Sequence, residues 1–172
     1  ELRQCQWKDV NLDTGELTIP GAIRKLKTIE KRRASTQPHW VPLSKQAIAL
    51  LRELHPLTGR YPFIFPGERS PGTRPMSDGA VLAALRTMGY GKEAMSAHGF
   101  RAMARTLLAE MGWKPDAIER QLAHKASGPL GAAYDRALFL GERKKMMQAW
   151  ADYLDVVRKK RSVIAGQFGR AA

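Results

Sequence analysis

Hydrophobic residues recur at helical spacing over most of this chain and alternate only in short runs near its beginning. Three of these runs, 7–12, 16–20 and 40–43, predict short strands, and residues 13–15 supply the turn between the first two. A basic segment, 24–33, separates the second strand from the third and predicts an extended hairpin. The beginning of the chain therefore predicts a small antiparallel sheet.

Two helices are predicted on either side of an irregular segment, 55–75, which is rich in proline and glycine and predicts a loop. The first helix follows Ser44 as its N-cap residue. Its apolar face contains Ala47, Ile48, Leu50, Leu51 and Leu54. Ser77 is expected to cap the second helix, which ends at Gly89. The apolar face of this second helix contains Val81, Leu82, Leu85 and Met88.

Four further helices are predicted in the remainder of the chain. Residues 97–111 form one, and a second runs from Pro115, placed in a first turn where a missing N–H costs nothing, to about 123. A third begins near residue 129 and carries Tyr134, and the last spans about 142–159. The apolar stripe of this last helix contains Met146, Met147, Trp150, Tyr153 and Leu154. The pattern thus predicts a mainly α fold with a small antiparallel β-sheet.

Length and composition are those of one domain. A chain of 172 residues with 44% hydrophobic content can bury a core. We expect residues 1–172 to form a single domain, with a core over about 1–155 and a basic, flexible tail over 156–172. The single cysteine, Cys5, excludes an internal disulfide framework and suits a reducing cytoplasm. Because the chain has no initiator methionine, we also expect it to be a fragment of a longer protein.

Charge is the strongest compositional signal. Lysine and arginine number 29 against 16 acidic residues, which gives a net charge of +13. Such a charge is typical of a domain that meets a polyanion. Nucleic acid is favoured over a membrane surface, because no cationic amphipathic helix with an aromatic apolar face is present and no apolar run reaches membrane-spanning length.

Four polar residues, His98, Arg101, His124 and Tyr134, supply candidate chemistry in a fixed order. His98 and Arg101 share one helical face. A guanidinium binds a phosphate through two hydrogen bonds, imidazoles move protons near neutral pH, and a phenol can become a covalent nucleophile. Tyr134 also has small neighbours, which would admit a phosphate backbone. Taken one at a time, these residues could equally be a core histidine, a surface arginine, a helix cap and a structural tyrosine.

Several separated motifs accompany these four residues. They are Pro-His-Trp-Val-Pro-Leu-Ser at 38–44, Arg-Gln-Leu-Ala-His at 120–124, Ala-Tyr-Asp-Arg at 133–136 and Met-Met-Gln-Ala-Trp-Ala-Asp-Tyr-Leu at 146–154. In order and spacing the whole set resembles the catalytic domain of the tyrosine recombinases, the phage and prophage integrases. The resemblance extends from residue 1 to about residue 155.

The resemblance implies DNA integration and recombination by strand cleavage and rejoining through a 3′-phosphotyrosine. Tyr134 would be the nucleophile, and Arg101, His98 and His124 would act on the scissile phosphate. No cofactor is implied, and no metal is expected either, because no third histidine or cysteine lies at ligand spacing.

A hairpin lysine of the family protonates the leaving 5′-oxygen. Lys27 and Lys25 are the candidates here, with Lys27 preferred. The basic run also supplies candidate DNA contacts, which are Lys25, Lys31, Arg32 and Arg33.

The family has a further phosphate-binding arginine shortly before an acidic residue followed by leucine. Glu1 and Leu2 resemble that pair, so we expect the arginine and an amino-terminal DNA-binding region to precede residue 1. Glu1 would support the site, and the fragment would be weakly active.

The resemblance also implies partners and a location. Double-stranded DNA would be the substrate, with a homotetramer on DNA, a monomer in its absence, and a place in the bacterial cytoplasm with the nucleoid. Two alternatives remain open: a DNA-binding module that does not cleave, and a DNA-relaxing enzyme of the type IB topoisomerase kind.

Overall fold

Three short strands precede five α-helices in the computed structural model, which describes residues 1–24, 38–123 and 139–160. The strands are β1 (Val10–Asn11), β2 (Glu16–Ile19) and β3 (His39–Pro42). The helices are α1 (Lys45–Thr58), α2 (Ala80–Thr87), α3 (Ala97–Glu110), α4 (Pro115–Gln121) and α5 (Leu140–Lys160). The predicted fold class, mainly α with a small antiparallel sheet, is confirmed.

The sheet has the order β1-β2-β3, and both pairings are antiparallel. Gly15, at φ 69°, completes the tight turn between β1 and β2. The first strand is shorter than predicted, because residues Trp7–Asp9 form a 3-10 helix instead. The Asp9 carboxylate accepts a hydrogen bond from the Gln6 N–H at 3.3 Å and so stabilises that turn.

Local capping chemistry sets most helix ends. The Ser44 hydroxyl accepts a hydrogen bond from the Ala47 N–H at 3.2 Å, as the sequence predicts for the beginning of α1. Gly89 and Gly112 adopt φ values of 88° and 82° just beyond α2 and α3. The predicted cap at Ser77 is wrong: the N-cap of α2 is Gly79, because a turn precedes the helix, and no side chain caps it.

The helix α1 is longer than predicted. It continues to Thr58 and contains Pro56 in its last turn, where the sequence predicts a loop from residue 55. The helix α5, Leu140–Lys160, agrees closely with the helix predicted over about 142–159. The predicted hairpin at 24–33, apart from Arg24, and the predicted helix near 129 lie outside the described residues.

Two apolar clusters hold these elements together. One fixes the sheet to α1 and contains the buried residues Cys5, Ile19 and Ile64, with Leu51 and Leu54 against them. The other joins α3, α4 and α5, and its buried members are Leu108, Ala117, Ile118 and Met146. The second cluster supports the helices that carry the candidate site.

Candidate functional site

The first turns of α3 carry His98 and Arg101. The Ser96 hydroxyl accepts a hydrogen bond from the Gly99 N–H at 3.0 Å, which fixes the beginning of the helix. His98 is exposed and Arg101 is half-buried. Because the unpaired N–H groups and the dipole of a helix beginning favour an anion, this end of α3 suits a phosphate.

Arg86 fixes the loop that leads into α3. Its guanidinium donates to the carbonyl oxygens of Tyr90 at 2.5 Å, Gly91 at 2.8 Å and Met95 at 3.1 Å. These bonds order the chain immediately before Ser96. No sequence pattern indicates this function, since Arg86 lies among ordinary surface positions of a helix.

Arg101 joins α3 to the end of α4. Its terminal nitrogen donates to the carbonyl oxygen of Leu122 at 2.5 Å. Leu122 precedes His124 by two positions in the sequence. The structure therefore brings the His98 and Arg101 pair next to the point from which the chain leads to the second predicted histidine.

The backbone turns sharply where α4 ends. Ala123 adopts φ 57°, in the left-handed region, and its N–H donates to the Arg120 carbonyl at 3.0 Å. A residue with a Cβ pays about 1 kcal/mol or more in this conformation. Neighbouring contacts must therefore hold the end of α4 in place.

His39 on β3 supplies one of these contacts. Its Nε2 lies 3.3 Å from the carbonyl oxygen of Gln121, so the neutral imidazole donates there. Burial, together with the charge of Arg143, lowers the pKa of His39 to about 4. His39 is thus a neutral hydrogen-bond donor near pH 7. In the sequence, His39 is marked only by its place in the motif at 38–44.

Arg143 on α5 supplies a second contact. Its Nε donates to the side-chain oxygen of Gln121 at 2.9 Å, and a terminal nitrogen donates to the carbonyl of Trp40. Burial, with a smaller effect from the charge of Arg120, lowers the pKa of Arg143 to about 10. Arg143 is not among the site residues that the sequence predicts. Arg143 lies three positions before Met146 and therefore shares the apolar face of α5. This spacing is the sequence feature that indicates a buried arginine.

Glu1, predicted to support the site, lies within electrostatic range of this region. Its charge is among the influences that raise the pKa of His39, against the larger effects of burial and Arg143. Arg24 acts on His39 in the opposite direction. The charges of the first residue of the chain and of the beginning of the basic segment thus both act on His39 of β3.

The remaining predicted site residues lie outside the described part of the chain. They are His124, Tyr134, Lys25, Lys27, Lys31, Arg32 and Arg33. Within residues 1–24, 38–123 and 139–160, no group of three or more histidine, cysteine or acidic side chains could hold a metal ion. No helix in those ranges combines the length and the apolar character needed to cross a membrane.

Comparison with known proteins identifies clear relatives. Residues 1–140 match the model of the phage integrase family. The chain is 42% identical over 166 residues to the integrase of Enterobacteria phage P4, covering 93% of this chain and 38% of that protein. It is 38% identical over 167 residues to prophage integrase IntZ of Escherichia coli, covering 96% and 37% respectively.

A third relative is the integrase of Shigella phage Sf6, which is 40% identical over 157 residues, covering 90% of this chain and 38% of the relative. The chain therefore spans well under half the length of these three proteins. No solved structure matches the chain significantly.

Proposed function

The chain belongs to the phage integrase family, and from this premise we propose that it is the catalytic part of a tyrosine recombinase that integrates DNA at specific sites. One observation carries the proposal at the level of the site. The contact between Arg101 and the Leu122 carbonyl, 2.5 Å long, joins the helix that carries His98 and Arg101 to the chain that leads to His124 and Tyr134.

In the proposed reaction Arg101 binds the scissile phosphate and stabilises the charge of the pentacoordinate transition state. A guanidinium suits this task because its planar fork matches two phosphate oxygens. His98, three residues earlier on the same helical face, orients the phosphate or accepts the tyrosine proton. His124 donates a further hydrogen bond to the phosphate.

Tyr134 is the proposed nucleophile. Its oxygen bonds to phosphorus and the bond from phosphorus to the 5′-oxygen breaks, with His98 as the candidate acceptor of the tyrosine proton. Lys27, or Lys25, gives a proton to the leaving 5′-oxygen. The resulting 3′-phosphotyrosine keeps the energy of the phosphodiester, so a 5′-hydroxyl from another strand can reverse the step without a nucleotide cofactor.

Partners and location follow from the same proposal. The substrate is double-stranded DNA, with Lys25, Lys31, Arg32 and Arg33 as backbone contacts and Glu1 supporting the site. We expect a homotetramer on DNA and a monomer in its absence, in the bacterial cytoplasm with the nucleoid. The net charge of +13 supports binding to DNA.

Trapping the covalent intermediate tests the proposal. The full-length protein should form a denaturation-resistant adduct with a nicked suicide substrate, in the presence of a metal chelator. Tyr134→Phe should bind DNA but give no adduct. Tyr153→Phe is the matched control and should keep the adduct, because Tyr153 stacks on Trp150 within α5, with ring centres 5.8 Å apart.

Each alternative gives a different result in this experiment. A DNA-binding module that does not cleave would give no adduct with the wild-type protein. A relaxing enzyme of the topoisomerase kind would give an adduct and relax supercoiled DNA, yet would not exchange strands between two cognate sites. An adduct that persists in Tyr134→Phe would exclude the assigned nucleophile.

A further inference from the structure

We infer that His39 and Arg143 are positioning residues, which act through Gln121 to hold the end of α4 where the proposed reaction needs it. The inference rests on the proposed function for its chemical meaning. It concerns a network of three residues, His39, Gln121 and Arg143, which we call the Gln121 network. None of the three belongs to the proposed catalytic set.

The Gln121 network joins three elements at one point. His39 comes from β3, Gln121 is the last residue of α4, and Arg143 comes from the first turns of α5. His39 bonds to the backbone of Gln121 at 3.3 Å, and Arg143 bonds to its side chain at 2.9 Å. Arg143 also donates to the carbonyl of Trp40, the neighbour of His39, so the network closes on β3.

The position of the bonded carbonyls gives the network its importance. The last carbonyls of any helix have no partner within that helix. At the end of α4 two consecutive carbonyls receive side-chain donors: Gln121 from His39 and Leu122 from Arg101. Because adjacent peptide units move together, the bond from His39 constrains the carbonyl that orients the Arg101 guanidinium.

The helix α4 cannot fix this end by itself. It has only seven residues, and an isolated helix of that length is not stable in water. Ala123 then adopts the strained left-handed conformation at φ 57°. The geometry of residues 121–123 therefore depends on contacts from outside α4, and the Gln121 network supplies those from β3 and α5.

The polar nature of the network fits positioning better than stabilisation. Arg143 is only 7% exposed, so its charge carries a desolvation cost that makes it a weak source of stability. Directional hydrogen bonds, in contrast, fix the place of a particular peptide unit. Gln121 and Arg143 also lie on either side of residues 124–138, the part of the sequence that contains His124 and Tyr134.

The first test compares two substitutions at each of two positions in the full-length protein. His39→Leu removes the donor, whereas His39→Gln can keep an N–H at the Nε2 position. Gln121→Met removes the side-chain acceptor, whereas Gln121→Glu keeps it. The readouts are the rate of adduct formation at saturating suicide substrate and the DNA concentration that gives half the maximal rate.

Small misplacements of catalytic groups cost up to about 100-fold in rate, so we expect losses of about 10- to 100-fold for His39→Leu and Gln121→Met. The half-saturating DNA concentration should not change, and the two conservative variants should recover most of the rate. Thr58→Val is the matched control, because the Thr58 hydroxyl donates to the carbonyl of Ile64 at 3.1 Å. Ile64 belongs to the apolar cluster that fixes the sheet to α1, away from the Gln121 network. It should lower stability without changing the rate. An unchanged rate in His39→Leu, or no recovery in either conservative variant, would overturn the inference.

The second test does not depend on activity. Amide hydrogen exchange should accelerate in His39→Leu at Leu122 and Ala123, whose N–H groups bond to Ile118 and Arg120, while Leu108 in the core keeps its protection. If exchange accelerates to the same extent at all amides, including Leu108, the substitution only lowers global stability. The network would then have a structural role, and the inference would be overturned. If the wild-type protein forms no adduct, the proposed function fails, and the exchange pattern alone decides whether the network positions α4.

Discussion

At the scale of single residues, side-chain donors to backbone carbonyls organise the candidate site. Arg86, Arg101 and His39 each bond to a carbonyl of a neighbouring loop or helix end. Arg143 bonds to the Trp40 carbonyl of β3. Carbonyls at helix ends lack partners within the helix, so long cationic or imidazole side chains are well suited to reach them. The site is therefore held by the same bonds that end its helices.

The first prediction concerns Arg101. Arg101→Lys should lower the rate of adduct formation by about 100- to 1000-fold, because an ammonium cannot reproduce the planar fork of a guanidinium on a phosphate. The measurement is the single-turnover rate with the suicide substrate. Arg105→Lys is the control on the same helix, since Arg105 is exposed and pairs with Glu119 at 2.6 Å. Equal rates in the two variants would remove Arg101 from the reaction.

The second prediction concerns the pH dependence of stability. The pKa of His39 falls from 6.5 to about 4 on folding, so the unfolded chain binds the proton more tightly. The contribution of His39 to the free energy of unfolding is fully present above pH 6.5 and is lost as the pH falls toward 4. The loss from this group is at most about 3 kcal/mol.

Urea unfolding at several pH values between 4 and 7 measures this loss of stability. In His39→Gln, the part of the pH dependence of the free energy of unfolding that His39 contributes should disappear. The charges that act on His39 are those of Arg143 and Arg24, which oppose protonation, and Glu1, which favours it. An identical slope in the variant would show that other groups carry the pH dependence.

At the scale of elements, α5 divides into two parts. Its first half enters the cluster shared with α3 and α4, where Met146 has no exposed surface. Its second half leaves Leu154 42% exposed and Val156 47% exposed. The predicted apolar stripe, residues 146–154, is thus a core contact at its beginning, whereas Leu154 at its end is exposed.

The third prediction follows from this division. Met146→Ala should lower the free energy of unfolding by about 2–5 kcal/mol, because it removes a fully buried side chain from a packed cluster. Met88→Ala makes the same chemical change at a residue that is 63% exposed, and it should change stability by less than about 0.5 kcal/mol. Chemical denaturation of both variants checks the difference, and similar losses would contradict the assignment of α5 to its own core.

The elements also show what the sequence could predict. The beginning of α1 at Ser44 and the ends of α2 and α3 at Gly89 and Gly112 follow from the residue at the boundary itself. The hydrophobic pattern predicts the fold class, and the family resemblance, which the comparisons confirm, identifies His98 and Arg101 as a pair with a shared role.

Contacts between distant residues could not be predicted in this way. His39 and Gln121 are 82 positions apart, and nothing local to either residue indicates the other. Leu50 was placed on the apolar face of α1 but is 65% exposed, because the helical spacing does not say how wide the buried face is. The 3-10 helix at Trp7–Asp9 replaced a predicted strand through side-chain capping that strand propensity ignores.

At the scale of the whole molecule, charge governs the fourth prediction. Binding to duplex DNA should weaken steeply as salt rises, because each phosphate that the protein neutralises contributes about 0.9 to the slope of log K against log salt. The net charge of +13 is the reason to expect several such contacts. A fluorescence titration from low to moderate salt, with cognate and scrambled duplexes, measures the slope. A flat response would contradict electrostatic binding.

Because Cys5 is buried, the folded chain should react only slowly with thiol reagents. Cys5 is the single cysteine of this sequence, it is 1% exposed, and burial raises its pKa to about 11. Since only an accessible thiolate reacts quickly, modification of Cys5 will report unfolding. A cysteine introduced on the surface, for example at Leu57, which is 69% exposed, will accept a fluorophore or spin label against an unreactive background.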